Sequence, residues 1–263
     1  MKFFLLKIHS YLLFIGVDLI KFISFFRGIP FFWKDYYRLK KQLSSSGDFP
    51  FGKIYPILDE RTSEGGTLRG HYFHMDLLVA QKVYQNSPFR HIDIGSRTDG
   101  FVAHVASFRE IEIFDIRHTE SSVGNIKFRQ ANLMELPSEL IDCCDSVSSL
   151  HAIEHFGLGR YGDPINSDGH LHAIDNIKNI LKTGGKFYFA TPIGKHQRIE
   201  FNAHRVFSLA YLIPILQSSF TIESFSYVND AGELIVNADL TIETINNSFN
   251  CSYGCGIFIL TKN

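Results

Sequence analysis

The densest run of reactive side chains lies between Leu150 and Pro164. There His151, Glu154, His155, Arg160, Tyr161 and Asp163 crowd around Gly157, Gly159 and Gly162. Histidine changes charge near neutrality, so it suits the proton transfer that activates a hydroxyl. His155 is the first candidate for such a base and His151 the second, with Glu154 or Asp163 orienting the imidazole or the substrate. Arg160 and Tyr161 would meet an anionic or polyhydroxyl acceptor, and the glycines would let the loop close and exclude water. His-x-x-Glu-His is also the inverted zinc-protease spacing, which needs a helix carrying both histidines and a third ligand downstream. Here it follows an apolar strand-like run and precedes a glycine-rich loop, so no metal is expected. The plainer alternative is that Glu154 and His155 only fix the loop by hydrogen bonds.

A second constellation begins at Asp93-Ile94-Gly95-Ser96-Arg97-Thr98-Asp99. Gly95 permits a tight turn that a ligand can approach, and a helix begins near Asp99. Asp115 closes the run IEIFD, 22 residues after Asp93, where an acid can accept hydrogen bonds from both hydroxyls of a ribose. Turn and acid together point to an adenosine-containing cofactor; helix capping by Asp93 and Asp115 is the alternative.

These residues must be held by alternating strands and helices. Helical spacing covers 71–84, 101–108, 170–182 and 204–217, the last interrupted by Pro214. Short apolar runs at 90–95, 111–116, 126–130, 145–150, 186–193, 220–228 and 256–262 read as strands. Such alternation predicts an α/β fold: a three-layer, doubly wound, mostly parallel sheet of seven strands, with ligands outside the carboxyl ends of the strands. Residues 230–252 read as an inserted strand pair.

This order of parts resembles the class I S-adenosylmethionine (SAM)-dependent methyltransferases, a Rossmann-like fold. Leu181-Lys182-Thr183-Gly184-Gly185-Lys186 is similar to the turn before their fifth strand, and Ser149-Leu150-His151-Ala152-Ile153-Glu154-His155 to the segment after their fourth. More narrowly, GHYFHMDLLVA, HIDIGSRTDGFVAH, FDIR, LHAIEHFGLGRYGDP and FNAHRVF resemble the uncharacterised family called domain of unknown function 268, over about residues 54–230. The resemblance implies a SAM-dependent methyltransferase of a polar small molecule or glycan. Asp93, Gly95, Ser96, Arg97, Asp99, Asp115, Ile116, Asn132, Leu133 and Leu150 would then surround the cofactor. Arg97 and Asp99 stand where the family's turn has its later glycines, and Asn132 where an acid often receives the adenine amino group. His71 and Tyr72, on a helix laid over the cofactor, and His204 and Arg205, after the fifth strand, would contact substrate. A non-catalytic nucleotide-binding or interaction module, or another sugar-modifying transferase, is the alternative on the same scaffold.

Composition bounds the partners. The 263 residues carry a formal charge of −1, which argues against nucleic acid. Yet residues 1–43 hold eight Lys/Arg against Asp18 and Asp35, so the remainder carries a net −7. That basic arm is rich in Phe and Leu and includes Trp33, Tyr36 and Tyr37. It reads as a helix lying in a membrane interface, on the inner face of a cytoplasmic membrane; packing on the body or on a second subunit, and spanning, are the alternatives. Ser44–Asp48 reads as part of a linker reaching residue 70. Four cysteines are too few for a disulfide scaffold and read as reduced cytoplasmic thiols, with Cys143 and Cys144 as small core residues.

Overall fold

The computed structural model describes residues 12–13, 16–43, 49–61, 65–120, 122–135 and 138–263. The chain forms two units, Met1–Thr67 and Leu68–Asn263. In the first, α1 (Leu19–Leu43) starts where the Asp18 carboxylate accepts from the Lys21 amide at 3.1 Å, and it continues through Pro30. Phe22, Phe25, Phe26, Phe31 and Trp33 are exposed on it. Among the described residues no helix is long and apolar enough to cross a membrane. Residues 1–11 of the expected arm helix, and Ser44–Asp48 of the linker, lie outside the described residues.

The second unit opens with α2 (His71–Asn86), which buries Met75, Val79 and Val83. Then come β1 (His91–Ile94), a turn of π-helix (Thr98–Val102) running into α3 (Ala103–Ala106), β2 (Ile111–Asp115), β3 (Ile126–Gln130) and β4 (Cys144–Leu150). The chain continues with α4 (Gly169–Ile180), β5 (Leu181–Ile193), the short strands β6 (Arg198–Glu200) and β7 (His204–Val206), and α5 (Leu209–Gln217). It closes with β8 (Phe220–Val228), β9 (Leu234–Ile235), α6 (Ile242–Asn247) and β10 (Gly254–Lys262).

The main sheet has the order β3-β2-β1-β4-β5-β10-β8-β9. Its first five strands are parallel, and β10 runs antiparallel between β5 and β8. The seven expected strands are therefore joined by a two-residue strand at one edge. Alternation along β5 feeds both faces: Phe187 and Phe189 pack with α4 and α5, while Tyr188 and Ala190 pack with α2 and α3. Truncating a fully buried Phe such as Phe189 to Ala would cost about 3–5 kcal/mol. β4 carries three serines in this interior, and each is satisfied. Ser146 Oγ meets His91 Nδ1 at 2.7 Å, Ser148 Oγ donates to Asp93 at 2.6 Å, and Ser149 Oγ donates to the Ile94 carbonyl at 3.1 Å.

Four segments depart from the sequence reading. His204–Val206 is a strand paired with β6, and the helix begins only after Ser208, whose hydroxyl accepts from the Tyr211 amide and caps it. α4 stops at Ile180, and β5 starts at Leu181 instead of after the glycines. The helix expected from Phe101 enters through a π turn because Gly100, at φ −123° and ψ −105°, leaves the helical region. Residues 230–252 hold one short strand and a helix rather than a strand pair, since Thr241 and Thr244 form a capping box that starts α6.

Candidate active site

The carboxyl ends of β1, β2 and β4 and the start of the β3–β4 connection surround a cavity of about 520 Å³. Its wall is mainly apolar, with Phe114, Ile116, Ala131, Leu133, Met134, Ala152 and Phe156. Asp115, Asn132 and Asp163 also line it. Gly95 closes one side at φ +67°, where a Cβ would lie 3.1 Å from the Ala152 methyl. A second cavity, of about 610 Å³, is polar: Tyr72, Arg97, Arg160, His204, Glu154 and Tyr253 line it. Gly95, Arg117, His151, His155 and Tyr161 border both cavities, so the apolar and polar chambers are neighbours along these residues.

His151 follows β4 directly, in the left-handed region at φ +53°, with its amide donating to the Ala190 carbonyl at 2.9 Å. Its Nδ1 lies 2.7 Å from Glu154 Oε1 and its Nε2 3.1 Å from His71 Nδ1. Burial works against a charge on His151, but Cys255 and the Glu154 carboxylate outweigh it and hold the ring well above the ordinary histidine range. Burial would raise Glu154 too, yet His151 and His155 keep its carboxyl below the usual range. His71 stacks on His151 with ring centres 5.2 Å apart, and burial beside that ring pushes it down to about 4.

His155 Nδ1 donates to the Ala203 carbonyl at 2.6 Å, which leaves the Nε2 lone pair free, 3.8 Å from Glu154 Oε1. Burial lowers its pKa, so the ring is neutral at pH 7. Tyr161 stands edge-on to it at 5.5 Å and carries the guanidinium groups of Arg117 and Arg160 at 4.5 and 5.1 Å. Asp115, at the end of β2, faces the apolar chamber but is held by Arg117, whose Nη2 and Nε donate at 2.6 and 3.0 Å. Ile116 and Leu133 lie on the same wall, and Asn132 Oδ1 accepts from the Met134 amide at 3.1 Å.

Several expected ligand contacts are instead scaffold. Asp93 is fully buried and does not line either cavity; its oxygens accept from Ser96 Oγ, the Ser96 amide and Ser148 Oγ. Burial pushes it up to about 6, and the hydroxyls oppose that rise. Ser96 Oγ in turn accepts from the Leu150 amide, so Ser96 and Leu150 lock the β1 turn to β4. Asp163 accepts from the amides of Gly157, Gly159 and Tyr161 and shapes the glycine-rich loop. Arg205 is buried and donates to the carbonyls of Glu154, Phe156, Asn166 and Ser167, so it ties that loop to β7 rather than reaching a substrate. Arg97 forks onto the exposed Asp99 and stacks on Tyr72 at 4.6 Å. His204 faces the polar cavity, 3.2 Å from Glu200, with burial lowering its pKa.

Sequence reasoning missed Phe114, Arg117, Met134, Phe156 and Tyr253. Phe114 and Arg117 flank Asp115 and were legible as its neighbours. Tyr253 enters from the turn before β10, and nothing local to it signals the cavity.

Comparison with known proteins places this geometry. The [4+2]-cyclase SpnF is similar in structure, with a TM-score of 0.52 and 14% identity over 72% of this chain and 80% of that one. A Burkholderia thailandensis 1,6-didemethyltoxoflavin-N1-methyltransferase, with bound 1,6-didemethyltoxoflavin and S-adenosylhomocysteine, gives 0.49 at 11% identity, over 72% and 79% of the two chains. The N-methyltransferase NodS from Bradyrhizobium japonicum WM9, with S-adenosyl-l-homocysteine, gives 0.47 at 11% identity, over 73% and 88%. The first of these shares the fold described above, a mostly parallel, Rossmann-like α/β sheet covered by helices on both faces. No curated protein matches. The family model described as "Caenorhabditis protein of unknown function, DUF268" matches residues 104–252, more than half of the sequence, and the chain belongs to that family.

Proposed function

We propose that this chain is a SAM-dependent methyltransferase whose acceptor is a polar, hydroxyl-bearing small molecule or glycan. The observation that carries the reading is an apolar chamber lying beside a histidine- and tyrosine-rich one, with Gly95, His151, His155 and Tyr161 bordering both. The residues fit such a cofactor. Asp115 offers a carboxylate to a ribose, Phe114, Ile116, Leu133 and Phe156 offer an apolar slot to a base, and Asn132 offers an amide at its edge. When bound, SAM supplies an electrophilic methyl group.

The chain's own residues do the rest. His155 Nε2 takes the acceptor's hydroxyl proton, and Glu154, 3.8 Å away, offsets the charge that develops on the ring. The Nδ1–H bond to Ala203 fixes the tautomer that makes this transfer possible. Arg160 and Tyr161 hold the acceptor, on a loop whose backbone Asp163 and Arg205 keep in shape.

Calorimetric titration with SAM and S-adenosylhomocysteine tests the reading. Binding of both is expected, at least about tenfold weaker in Asp115→Ala. His155→Ala should keep binding and lose about 100-fold or more of S-adenosylhomocysteine release with a hydroxylated acceptor panel. No heat with either ligand would overturn it. One observation favours a non-catalytic module instead: Arg117 already occupies both oxygens of Asp115. Arg117→Ala separates the two, since tighter SAM binding together with S-adenosylhomocysteine release supports the enzyme, and binding without any turnover supports the module.

The arm is read as a peripheral membrane contact. Exposed Phe22, Phe25, Phe26 and Trp33 share α1 with Lys34, Arg38 and Lys40, a combination that suits an anionic headgroup layer. Co-sedimentation with anionic vesicles should fall sharply when residues 1–43 are removed. A concentration-dependent doubling of mass would favour a homodimer instead.

A further inference from the structure

At the wall of the polar cavity, the start of α2, the residue after β4 and the start of β10 bring three metal-ligating side chains together. His71 opens α2, His151 follows β4 and Cys255 is the second residue of β10. One ligand atom from each lies within 4.8 Å of the other two. His71 Nδ1 and His151 Nε2 are 3.1 Å apart. Two imidazole nitrogens on a tetrahedral zinc, at Zn–N distances near 2.0 Å, would be separated by about 3.3 Å. Cys255 is fully buried and lies within hydrogen-bonding reach of His151, which puts its sulfur beside the same point.

The groups behind the histidines match what a bound metal requires. The far nitrogen of His151 meets the Glu154 carboxylate at 2.7 Å, which fixes the ring's tautomer and orientation and raises its basicity as a ligand. The His71 ring hydrogen-bonds the backbone of Tyr253. Thiolate and imidazole together select a borderline-soft, first-row divalent ion, of which zinc is the type.

We propose that His71, His151 and Cys255 bind one Zn²⁺, fastening the start of α2 to the end of β4 and the start of β10. Binding forms two Zn–N bonds and one Zn–S bond, and a water from solvent completes the tetrahedron. The thiol proton of Cys255 and the ring proton occupying the gap between the two imidazoles leave to solvent. This is not the His-x-x-Glu-His arrangement, because the clustered ligand atoms are those of His71, His151 and Cys255, and His155 is not among them. The proposal is also independent of methyl transfer, so a failed SAM titration leaves it standing.

The test uses the full chain, stripped with a chelator and titrated with ZnCl₂ against a chromophoric competitor. One zinc per chain is expected, and Co²⁺ in its place should show a thiolate-to-cobalt charge-transfer band in the near ultraviolet. Zinc affinity should fall about 100-fold or more in Cys255→Ser and in His71→Ala, and about tenfold in Glu154→Gln. It should be unchanged in His155→Ala and Cys251→Ser. Should Cys255→Ser fail to fold, His71→Gln, at a half-buried helix start, carries the same comparison, with circular dichroism confirming its fold. Less than about one-fifth of an equivalent bound after loading, or an affinity indifferent to Cys255 and His71, overturns the proposal.

Discussion

Arg205→Met isolates the device that shapes the candidate active site. The guanidinium is buried and donates to four backbone carbonyls: Phe156 at 2.6 Å, Ser167 at 3.1 Å, Glu154 at 3.3 Å and Asn166 at 3.4 Å. Methionine keeps the apolar stem and removes every donor. The two shorter bonds come from a charged donor, each worth about 1.5–3 kcal/mol net; the longer two add little. Against that loss stands the desolvation that the cation no longer bears, visible in the way burial lowers its pKa. The balance is a destabilisation of about 3 kcal/mol. For a unit of this size each kcal/mol lowers Tm by about 2–4 °C, so the drop should be about 6–12 °C. Urea unfolding followed by circular dichroism measures it, and amide exchange at Gly157 and Leu158 should quicken first, before the sheet opens. A loss under about 1 kcal/mol refutes the reasoning, because those carbonyls would then be satisfied without the guanidinium.

Gly157→Ala should cost well over ~3 kcal/mol, since a left-handed φ of +78° is joined by a Cβ placed 2.0 Å from the Asn166 carbonyl oxygen. Gly162→Ala, at φ +80° with open space around it, should cost only about 1–2 kcal/mol, and equal Tm losses would contradict the packing described. Ser148→Ala removes the hydroxyl between His91 and Asp93 and should cost about 1–3 kcal/mol in urea unfolding. His170 bears on pH: burial pushes it down to about 4, so between pH 6.5 and 4 the unfolded chain takes up a proton that the native ring refuses. Stability from this group is complete above pH 6.5 and is lost as pH falls, by about 2 kcal/mol at pH 5. Asp76 and Asp93, raised by burial to about 6, act in the opposite sense over pH 6 to 4. His170→Gln should therefore flatten the fall in urea midpoint between pH 8 and 5, and an unchanged slope would count against the assignment.

The inner parallel strands β1 and β4 were legible as short runs buried almost throughout, the edge strand β3 only by its β-branched and aromatic residues between polar ones, and the helical spacing of 71–84 announced α2. Asp115, Asn132 and Leu133 were findable because strand-end position alone puts them on the cavity. The partners were not. Ser148 stands 55 residues from Asp93, and only the β1–β4 register turns that acid inward. Arg205 looked like a substrate contact because a cation after a strand is usually exposed; four carbonyls from a distant loop made burial affordable. The helix start after Ser208 did carry a local signal, a serine followed by an apolar run, that Pro214 and the preceding Arg205 obscured.

The stretch from Glu154 to Ser167 is stitched in place through main-chain atoms, by the Asp163 carboxylate on amides and by the Arg205 fork on carbonyls. Arg160 adds a further tie, donating to the Ala203 carbonyl at 3.0 Å, whereas the Tyr161 ring is held by the guanidinium groups of Arg117 and Arg160. A different side chain at Tyr161 therefore leaves the path of the main chain intact, while one at Arg160 gives up a link to the segment before β7.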